Sequence, residues 1–241
     1  NGHLDIYYSA IPLDRLDDQS RQNLKIFQSA GKSYSLLINP AVSEQFNPFS
    51  IQEVRFALNY LIDRDLIVDE VLHGYGTPMI SAYKPYDPDY LLVLQELQSF
   101  NFRHNPILAN QIISDALEKA GAQKTGGVWQ YQSKPIQITI FIRNDDPIRK
   151  SIGEILASQL QSMGFTVKKD YGDLTKAFSI VYGSNPSDLK WSIYTEAWSM
   201  NGFVRYDSVI TAQMYSPWFS NMPGFNNPSY WNFQEPQIDS I

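Results

Sequence analysis

Cysteine is absent from the 241-residue chain, which excludes disulfide bonds and thiolate metal sites. Basic residues are a minority, because 19 lysines and arginines accompany 25 aspartates and glutamates, for a formal net charge of −6. This balance argues against a nucleic-acid surface, which needs a basic stripe to neutralise phosphates. The sequence also lacks an apolar run of the roughly 20 residues that a membrane-spanning helix requires. We expect a sizeable buried core, in one large domain or two small ones.

Residues that carry chemistry are scarce as well. The chain has three histidines without the spacing of a metal-binding pair, namely His3, His73 and His104. No Gly-x-Ser-x-Gly motif is present, so a hydrolase triad lacks support. The adjacent carboxylates Asp145 and Asp146 would point apart on a regular backbone, which disfavours paired acid and base work. The sequence therefore predicts no catalytic residue, no metal site and no cofactor.

The stretch from Asn47 to Gly76 predicts two consecutive helices. Ser50 and Glu53 have the spacing of a capping box, in which the hydroxyl accepts a first-turn N–H and the carboxylate returns to the cap. The first helix is expected to bury a stripe of residues at helical spacing, namely Ile51, Val54, Leu58, Leu61 and Ile62. Asp63 is expected to cap the second helix, and Gly74 to end it in the left-handed conformation.

A strand, a helix and a second strand follow one another between Pro135 and Lys168. The first strand alternates isoleucines on one face with Thr139 and Phe141 on the other, so both faces are expected to be covered. Asp146 precedes a proline and begins the helix, which ends at Gly164. Its apolar stripe consists of Ile148, Ile152, Ile155, Leu156, Leu160 and Met163. Such a unit predicts a right-handed crossover between parallel strands.

Another helix is predicted from Asn105 to Gly121, followed by a tight turn at Gly126 before Trp129. Between Pro78 and this helix lies a proline- and tyrosine-rich loop, longer than compact domains usually contain. It could be an insertion that packs on the surface. The alternative is that its tyrosines reach a ligand cleft, and the candidates are Tyr83, Tyr86 and Tyr90.

The stretch from Trp191 to Trp198 alternates as a strand. One face carries Trp191, Ile193, Thr195 and Ala197. The other face carries Tyr194, Glu196 and Trp198. The strand runs into Ser199, Met200 and an Asn201–Gly202 pair, which predicts a turn. A tryptophan beside such a turn is poorly placed to be fully buried, so Trp198 is expected to face a cleft.

Aromatic residues make up 14% of the chain, with 15 tyrosines and 5 tryptophans. Aromatic side chains bury large areas and, in tyrosine and tryptophan, still offer a polar tip. This combination suits a site for amphipathic ligands such as peptides or sugars. Trp129 and Trp231 are expected to belong to the core instead.

These segments resemble the family 5 extracellular solute-binding proteins, which serve ABC importers of peptides, nickel and some oligosaccharides. The most specific similarity lies in the first helix pair, at Val54, Arg55, Ala57, Leu58, Ile62, Asp63, Arg64, Gly74, Gly76 and Pro78. Residues 2–6 resemble the family phrase where the chain has just left the first lobe. Residues 230–239 resemble the phrase that closes the second lobe, so the resemblance covers nearly the whole chain.

The resemblance implies an α/β fold, namely a periplasmic-binding-protein type II lobe with a mixed sheet flanked by helices. It implies that residues 1–241 are the single, ligand-facing second lobe of a larger two-lobed protein, whose first lobe is absent. Capture would proceed by lobe closure without chemistry. The implied partners are a small peptide or oligosaccharide, the missing first lobe and ABC permease subunits, and no nucleic acid. The implied location is extracytoplasmic, periplasmic or at the cell surface, with a membrane anchor outside this sequence.

In the family a strand ending in Gly-Trp-x-x-Asp delivers a tryptophan and an acid to the cleft, and Trp198 matches the tryptophan. Asn201 stands at the acid position, and Thr195 where some oligopeptide binders carry an arginine. An ammonium anchor would be weakened, because a neutral hydrogen bond contributes about 0.5–1.5 kcal/mol against roughly 1.5–3 for a charged one. Glu196 could substitute for the acid. The expected ligand-binding residues are Trp198, Asn201, Glu196, Tyr194 and Met200.

A peptide is the first expectation for the ligand, and an oligosaccharide or another neutral solute stacked on Trp198 is the second. Two other classes of protein stay open. A sensor ectodomain would share the fold without a transporter. A sugar-processing enzyme could use Glu196 as an acid if a second carboxylate lay within about 5 to 10 Å.

Overall fold

The computed structural model describes residues 17–23, 25, 32–81, 83 and 88–199. The described strands are β1 (Lys32–Ile38), β2 (Gln123–Thr125), β3 (Val128–Tyr131), β4 (Lys134–Pro135), β5 (Gln137–Arg143), β6 (Thr166–Gly172) and β7 (Ile193–Ser199). The described helices are α1 (Asp18–Asn23), α2 (Gln52–Leu61), α3 (Arg64–Leu66), α4 (Pro88–Ser99), α5 (Pro106–Lys119), α6 (Pro147–Ser162) and α7 (Leu174–Ala177). Within this part of the chain no helix has the length and apolar character needed to cross a membrane.

Four strands form a mixed sheet in the order β1-β7-β5-β6. β5 is parallel to both β6 and β7, whereas β1 is antiparallel to β7. α6 connects β5 to β6, so the predicted strand, helix and parallel strand are confirmed. β7 lies on the other side of β5 from β6, so the strand order reverses at β5. In open α/β sheets, ligands bind outside such a point.

The larger of two hydrophobic clusters, which we call the large core, covers one face of this sheet. Ile138, Ile140 and Ile142 of β5 are fully buried in it, together with side chains from α2, α5 and α6. The opposite face carries a smaller cluster, made of Phe141, Ala177, Val181, Trp191 and Tyr194. The prediction that both faces of this strand are covered is confirmed.

The predicted capping box at the start of the first helix is wrong. Asn47 caps a 3₁₀ turn over Pro48–Ser50 by accepting a hydrogen bond from Phe49 N at 3.1 Å. The Ser50 hydroxyl donates to the Asn47 carbonyl at 2.8 Å, so it does not accept the first-turn N–H that a capping box requires. α2 then begins at Gln52 without a side-chain cap. Asn47, which precedes Pro48, therefore caps this segment in place of Ser50.

Other predicted helix and turn signals are confirmed. Asp63 accepts from Leu66 N at 3.0 Å, although α3 is short and continues as a π-helical turn over Ile67–Val71. Gly74 follows with a φ of 78°. Asn105 caps α5. Gly126 and Gly127 have φ angles of 57° and 83° in the turn that joins β2 to β3.

Trp129 belongs to the core, as predicted. Its side chain is 1% exposed, and its indole N–H donates to the Met163 carbonyl at 3.0 Å. The predicted strand that follows is divided, because Pro135 belongs to β4 and β5 begins only at Gln137. Trp231 lies outside the described residues.

The buried face of α6 differs from the predicted apolar stripe. Arg149 and Gly153 are buried, whereas Ile148 and Ile155 are only partly buried. A Cβ on Gly153 would lie 2.8–3.0 Å from three side-chain atoms of Ile142, so the absence of a side chain lets α6 approach β5 closely.

The strand predicted from Trp191 to Trp198 begins two residues later than expected. Trp191 packs with Tyr194 in the smaller cluster, whereas Ile193 belongs to the large core, so Trp191 and Ile193 do not share a face. The side-chain amide of Asn39 donates to the Trp191 carbonyl at 3.0 Å and to the Pro186 carbonyl at 2.8 Å. These bonds hold the preceding segment outside the regular alternation of β7.

The proline- and tyrosine-rich segment after Pro78 contains α4. Tyr83 and Tyr90 are partly buried, and Tyr86 lies outside the described residues. A cavity of about 330 Å³ lies between the start of this segment and α4, and its lining includes Ile80, Val93, Leu97 and Phe100. Whether these tyrosines reach a ligand stays a prediction.

Candidate ligand-binding site

The candidate site lies at the carboxyl ends of the parallel strands β5 and β7. Their backbone pairing ends at Phe141 and Tyr194, although β5 continues to Arg143 and β7 to Ser199. The next link uses a side chain, because the backbone N–H of Arg143 donates to the Thr195 hydroxyl at 3.0 Å. The two strands therefore separate, and side chains fill the space between their ends.

Arg149 enters this space from the first turn of α6. Asp146 caps the helix by accepting from Ile148 N and Arg149 N at 3.0 and 3.2 Å. The Arg149 Nε donates to the Thr195 carbonyl at 2.9 Å, and its Nη2 donates to the same carbonyl. The guanidinium also lies 5.1 Å from the centroid of the Tyr194 ring, a cation–π geometry. A buried cation is thus fixed directly onto β7.

Glu196 is the carboxylate partner of this arginine. Its Oε1 accepts from Arg149 Nη2 at 3.2 Å and from the backbone N–H of Ala197 at 2.7 Å. Its Oε2 accepts from the hydroxyl of Tyr182, which a π-helical turn over Phe178–Tyr182 carries to this position. Burial and the Glu196 carboxylate raise the pKa of Tyr182, so the hydroxyl keeps its proton and acts as a donor. Both carboxylate oxygens are therefore engaged within the fold.

A second ion pair lies beside the first. Arg143 donates from Nε and Nη2 to the two oxygens of Asp145, both at 2.7 Å, and from Nη1 to the Tyr194 hydroxyl at 3.1 Å. These hydrogen bonds lower the pKa of Asp145, and the carboxylate in turn raises the pKa of Arg143. We call the residues that these contacts join the carboxyl-end network, and they are Arg143, Asp145, Arg149, Tyr182, Tyr194 and Glu196.

β1 borders the other side of β7 and brings two serines to this face. Ser33 pairs with Trp198, and Ser35 pairs with Glu196. The indole nitrogen of Trp198 and the hydroxyl of Ser35 are buried, and neither has a hydrogen-bond partner in the part of the chain that the structure describes. Burial, together with the carboxylate of Asp146, raises the pKa of the neighbouring Tyr34 to about 12.

Three of the five predicted site residues are described, and they lie on β7. Tyr194 is 0% and Glu196 6% exposed, whereas Trp198 is partly exposed. Met200 and Asn201 lie outside the described residues. The structure therefore leaves Trp198 as the described candidate with accessible surface, and the ligand-binding role of all five residues stays a prediction.

Sequence reasoning missed Arg149 and Tyr182. Arg149 carried a weak signal, since it follows the Asp-Pro helix start on the side of α6 that faces the sheet. Tyr182 carried none, because its position depends on a π-helical turn that no spacing rule indicates. The hypothesis that Glu196 acts as a general acid is disfavoured, because both oxygens of its carboxylate already accept hydrogen bonds within the fold. Among the described residues, no three His, Asp or Glu side chains converge as a metal site.

Comparison with known proteins gives a family match and two curated relatives. It matches the family model of bacterial extracellular solute-binding proteins, family 5 middle, over residues 1–219. It is 24% identical over 225 residues to the oligopeptide-binding protein AppA of Bacillus subtilis, covering 90% of the chain and 39% of AppA. It is 26% identical over 150 residues to the nickel-binding protein NikA of Staphylococcus aureus, covering 57% of the chain and 29% of NikA. The chain thus spans less than half the length of these relatives.

Solved structures show the same fold. The structure of AppA with a bound nonapeptide superposes with a TM-score of 0.59 at 21% identity, covering 88% of this chain and 38% of AppA. A periplasmic oligopeptide-binding protein of Thermotoga maritima, with bound mannohexaose, gives a TM-score of 0.62 at 18% identity, covering 88% and 38% of the two chains. The fold is the α/β periplasmic-binding-protein type II fold that the sequence implied.

Proposed function

The chain belongs to the bacterial extracellular solute-binding proteins of family 5, and we propose that it is the ligand-facing lobe of a substrate-binding component of an ABC importer. Residues 1–241 form this single lobe, and the first lobe of the intact protein closes over the ligand without chemistry. The ligand is a small peptide. The protein works outside the cytoplasm, held at the membrane by an anchor, and delivers its ligand to ABC permease subunits.

The separation of β5 and β7 at their carboxyl ends is the observation that carries the proposal. A point where the strand order of an open α/β sheet reverses forms a crevice at the carboxyl ends of the strands, and this crevice is the usual ligand site. Trp198 lies on the strand that borders it and has accessible surface. A partly exposed indole gives a peptide an apolar aromatic face to pack against.

A neutral solute such as an oligosaccharide is the second candidate. The hydrogen bonds of Glu196 favour this candidate. Glu196 is the acid nearest to Trp198 on β7, and both of its oxygens already accept hydrogen bonds within the fold. This carboxylate is therefore a poor anchor for the ammonium end of a peptide. The mannohexaose bound to the similar Thermotoga maritima protein is consistent with such a ligand.

Titration calorimetry on the intact protein tests the proposal with a peptide panel and an oligosaccharide panel. We expect at least one peptide to bind, and Trp198→Ala to weaken it by about tenfold or more. Tyr75→Ala is the control, since Tyr75 is an aromatic residue that is 41% exposed and belongs to neither β5 nor β7. The proposal fails if neither panel binds, or if Trp198→Ala binds as the wild type does.

The same titration separates the two ligand classes. Free-amine and N-acetylated forms of one bound peptide are compared in the wild type and in Glu196→Gln. We expect a preference for the free amine well below about a hundredfold, because neither Asn201 nor an internally paired Glu196 supplies a free charge. A preference above about a hundredfold that survives Glu196→Gln would show that another group holds the ammonium.

A further inference from the structure

The end of β7 is held differently on its two sides. On one side β1 pairs with it along its whole length, as far as Lys32 and Ser199. On the other side the ladder to β5 stops at Tyr194. Thr195, Glu196, Ala197 and Trp198 therefore follow the last backbone pair with β5. Another group must fix the distance between the strand ends at this point.

The guanidinium of Arg149 takes the place of the backbone hydrogen bonds that are absent between β5 and β7 beyond Tyr194. It contacts three consecutive residues of β7, namely the ring of Tyr194, the carbonyl of Thr195 and the carboxylate of Glu196. Its side chain is 6% exposed, and that of Glu196 is 7% exposed, so solvent does little to screen the pair. Since α6 begins just after β5, Arg149 also ties β7 back to the strand from which it has separated.

Glu196 transmits this constraint toward Trp198. Its Oε1 accepts from Arg149 and also from the backbone N–H of Ala197, the residue immediately before Trp198. Tyr182 holds the other carboxylate oxygen. The carboxylate therefore connects the arginine to the backbone on which the indole is carried.

We propose that Arg149 is a positioning residue that sets the spacing of β5 and β7 and, through Glu196, the orientation of Trp198. The inference rests on the proposed function, in which Trp198 contacts the ligand. Arg149 itself is buried and does not meet the ligand. A planar fork of N–H donors is needed, because one side chain must bond a carbonyl twice and a carboxylate once. Lysine carries the same charge on a single nitrogen and cannot reproduce this geometry.

The difference between arginine and lysine gives a test that separates positioning from stability. The intact protein is labelled with 5-fluorotryptophan, and fluorine NMR spectra are recorded without ligand. The Trp198 and Trp129 resonances are assigned from Trp198→Phe and Trp129→Phe. In Arg149→Lys we expect the Trp198 resonance to move or broaden, while that of Trp129, in the large core, stays in place. Lys169→Gln is the matched control. Lys169 of β6 forms an exposed ion pair with Glu154 of α6, the helix that also carries Arg149, so this variant should move neither resonance.

A milder variant keeps the test decisive if Arg149→Lys does not fold. Tyr182→Phe removes one hydrogen bond to Glu196 and no charge. We expect a smaller displacement of the Trp198 resonance, again with that of Trp129 unchanged. The inference is overturned if the Trp198 resonance keeps its place in every folded variant. It is also overturned if the two resonances always move together, which would indicate a general loosening of the fold.

Ligand titration of the same variants distinguishes the inference from the function on which it rests. We expect Arg149→Lys to bind the probe peptide from the panel about tenfold more weakly, and Lys169→Gln to bind it as the wild type does. If Trp198 moves and no peptide or oligosaccharide binds to the wild type, the proposed function fails and the positioning role stands. If ligand binds and Trp198 does not respond to Arg149→Lys, the positioning role fails alone.

Discussion

The large core and the carboxyl-end network lie on the same sheet but are held together by different interactions, hydrophobic packing in the core and ion pairs in the network. The large core buries aliphatic side chains, which contribute roughly in proportion to area and tolerate replacement by residues of similar volume. The network joins charged groups, and its buried pair, Arg149 and Glu196, is tolerable only while both partners are present. The core therefore supplies most of the stability, whereas the network determines how the strand ends and their side chains are arranged. The core should therefore lose stability when a charge is introduced, and the network when a charge is removed.

The largest effect is expected for a charge placed in the large core. Val54 is 1% exposed, and Val54→Asp would bury a carboxylate without a partner. We expect a loss of more than about 4 kcal/mol of unfolding free energy. Urea unfolding measures it, with Glu53→Gln, an exposed change on the same turn, as the control. A folded Val54→Asp protein with an unchanged urea midpoint would contradict the assignment of Val54 to the core.

Removing one charge from the network should cost slightly less. Arg149→Leu leaves Glu196 buried without its cation, and we expect a loss of about 3–5 kcal/mol. Arg149→Leu combined with Glu196→Leu should cost less than Arg149→Leu alone, because no uncompensated charge is then left. A double-mutant cycle by urea unfolding measures this coupling. Additive losses would mean that the two side chains act independently.

A smaller effect is expected where α6 approaches β5. Gly153→Ala would bring a Cβ within 2.8–3.0 Å of Ile142 side-chain atoms. We expect a loss of about 1–2 kcal/mol from this overpacking. In an Ile142→Ala background the same change should instead stabilise by up to about 1 kcal/mol, because alanine favours a helix over glycine. Differential scanning calorimetry of the four proteins tests the change of sign, and a loss in both backgrounds would rule out Ile142 as the cause.

The smallest effect concerns the second ion pair and its dependence on pH. Asp145 has a pKa lowered by hydrogen bonds from Arg143, so its contribution is present above the unfolded pKa of about 3.9. The contribution is lost as pH falls through the lower folded pKa. Because its side chain is 38% exposed, we expect less than about 1 kcal/mol. The stability difference between wild type and Asp145→Asn should be constant near neutral pH and should shrink in acid. A difference that grows in acid would contradict the direction of the shift.

The same contrast explains what the sequence could predict. The large core follows from periodicity, so α5, α6, β5 and the parallel pairing were predictable, as was the family fold. The turn at Gly126 and the cap at Asp63 follow from local residue preferences. These features depend on neighbours in the sequence, and each carries its signal within a few residues.

The site was harder to predict because its contacts join distant parts of the chain. Tyr194 and Glu196 were correctly placed on one strand, yet nothing local indicated that Arg149 and Tyr182 would contact them. Trp191 was assigned to the wrong face, because side-chain bonds from Asn39 determine its position. Ser50 does not cap the helix as predicted, because its hydroxyl donates to the Asn47 carbonyl. Each of these errors depends on a polar side chain whose hydrogen-bond partner the sequence pattern does not reveal.

Asn39 also bears on the order in which the protein acquires its structure. The side chain of this residue bonds carbonyls 147 and 152 positions later, and β1, just before it, pairs with β7 along its length. Closing so long a loop costs more entropy than joining β5 to β6 across a single helix. On a ribosome, β1 would emerge before β7 and wait without this partner while the intervening strands were made. β1, which flanks β7 on the side away from β5, is therefore expected to be among the last strands to join the sheet, and refolding should be slowest there.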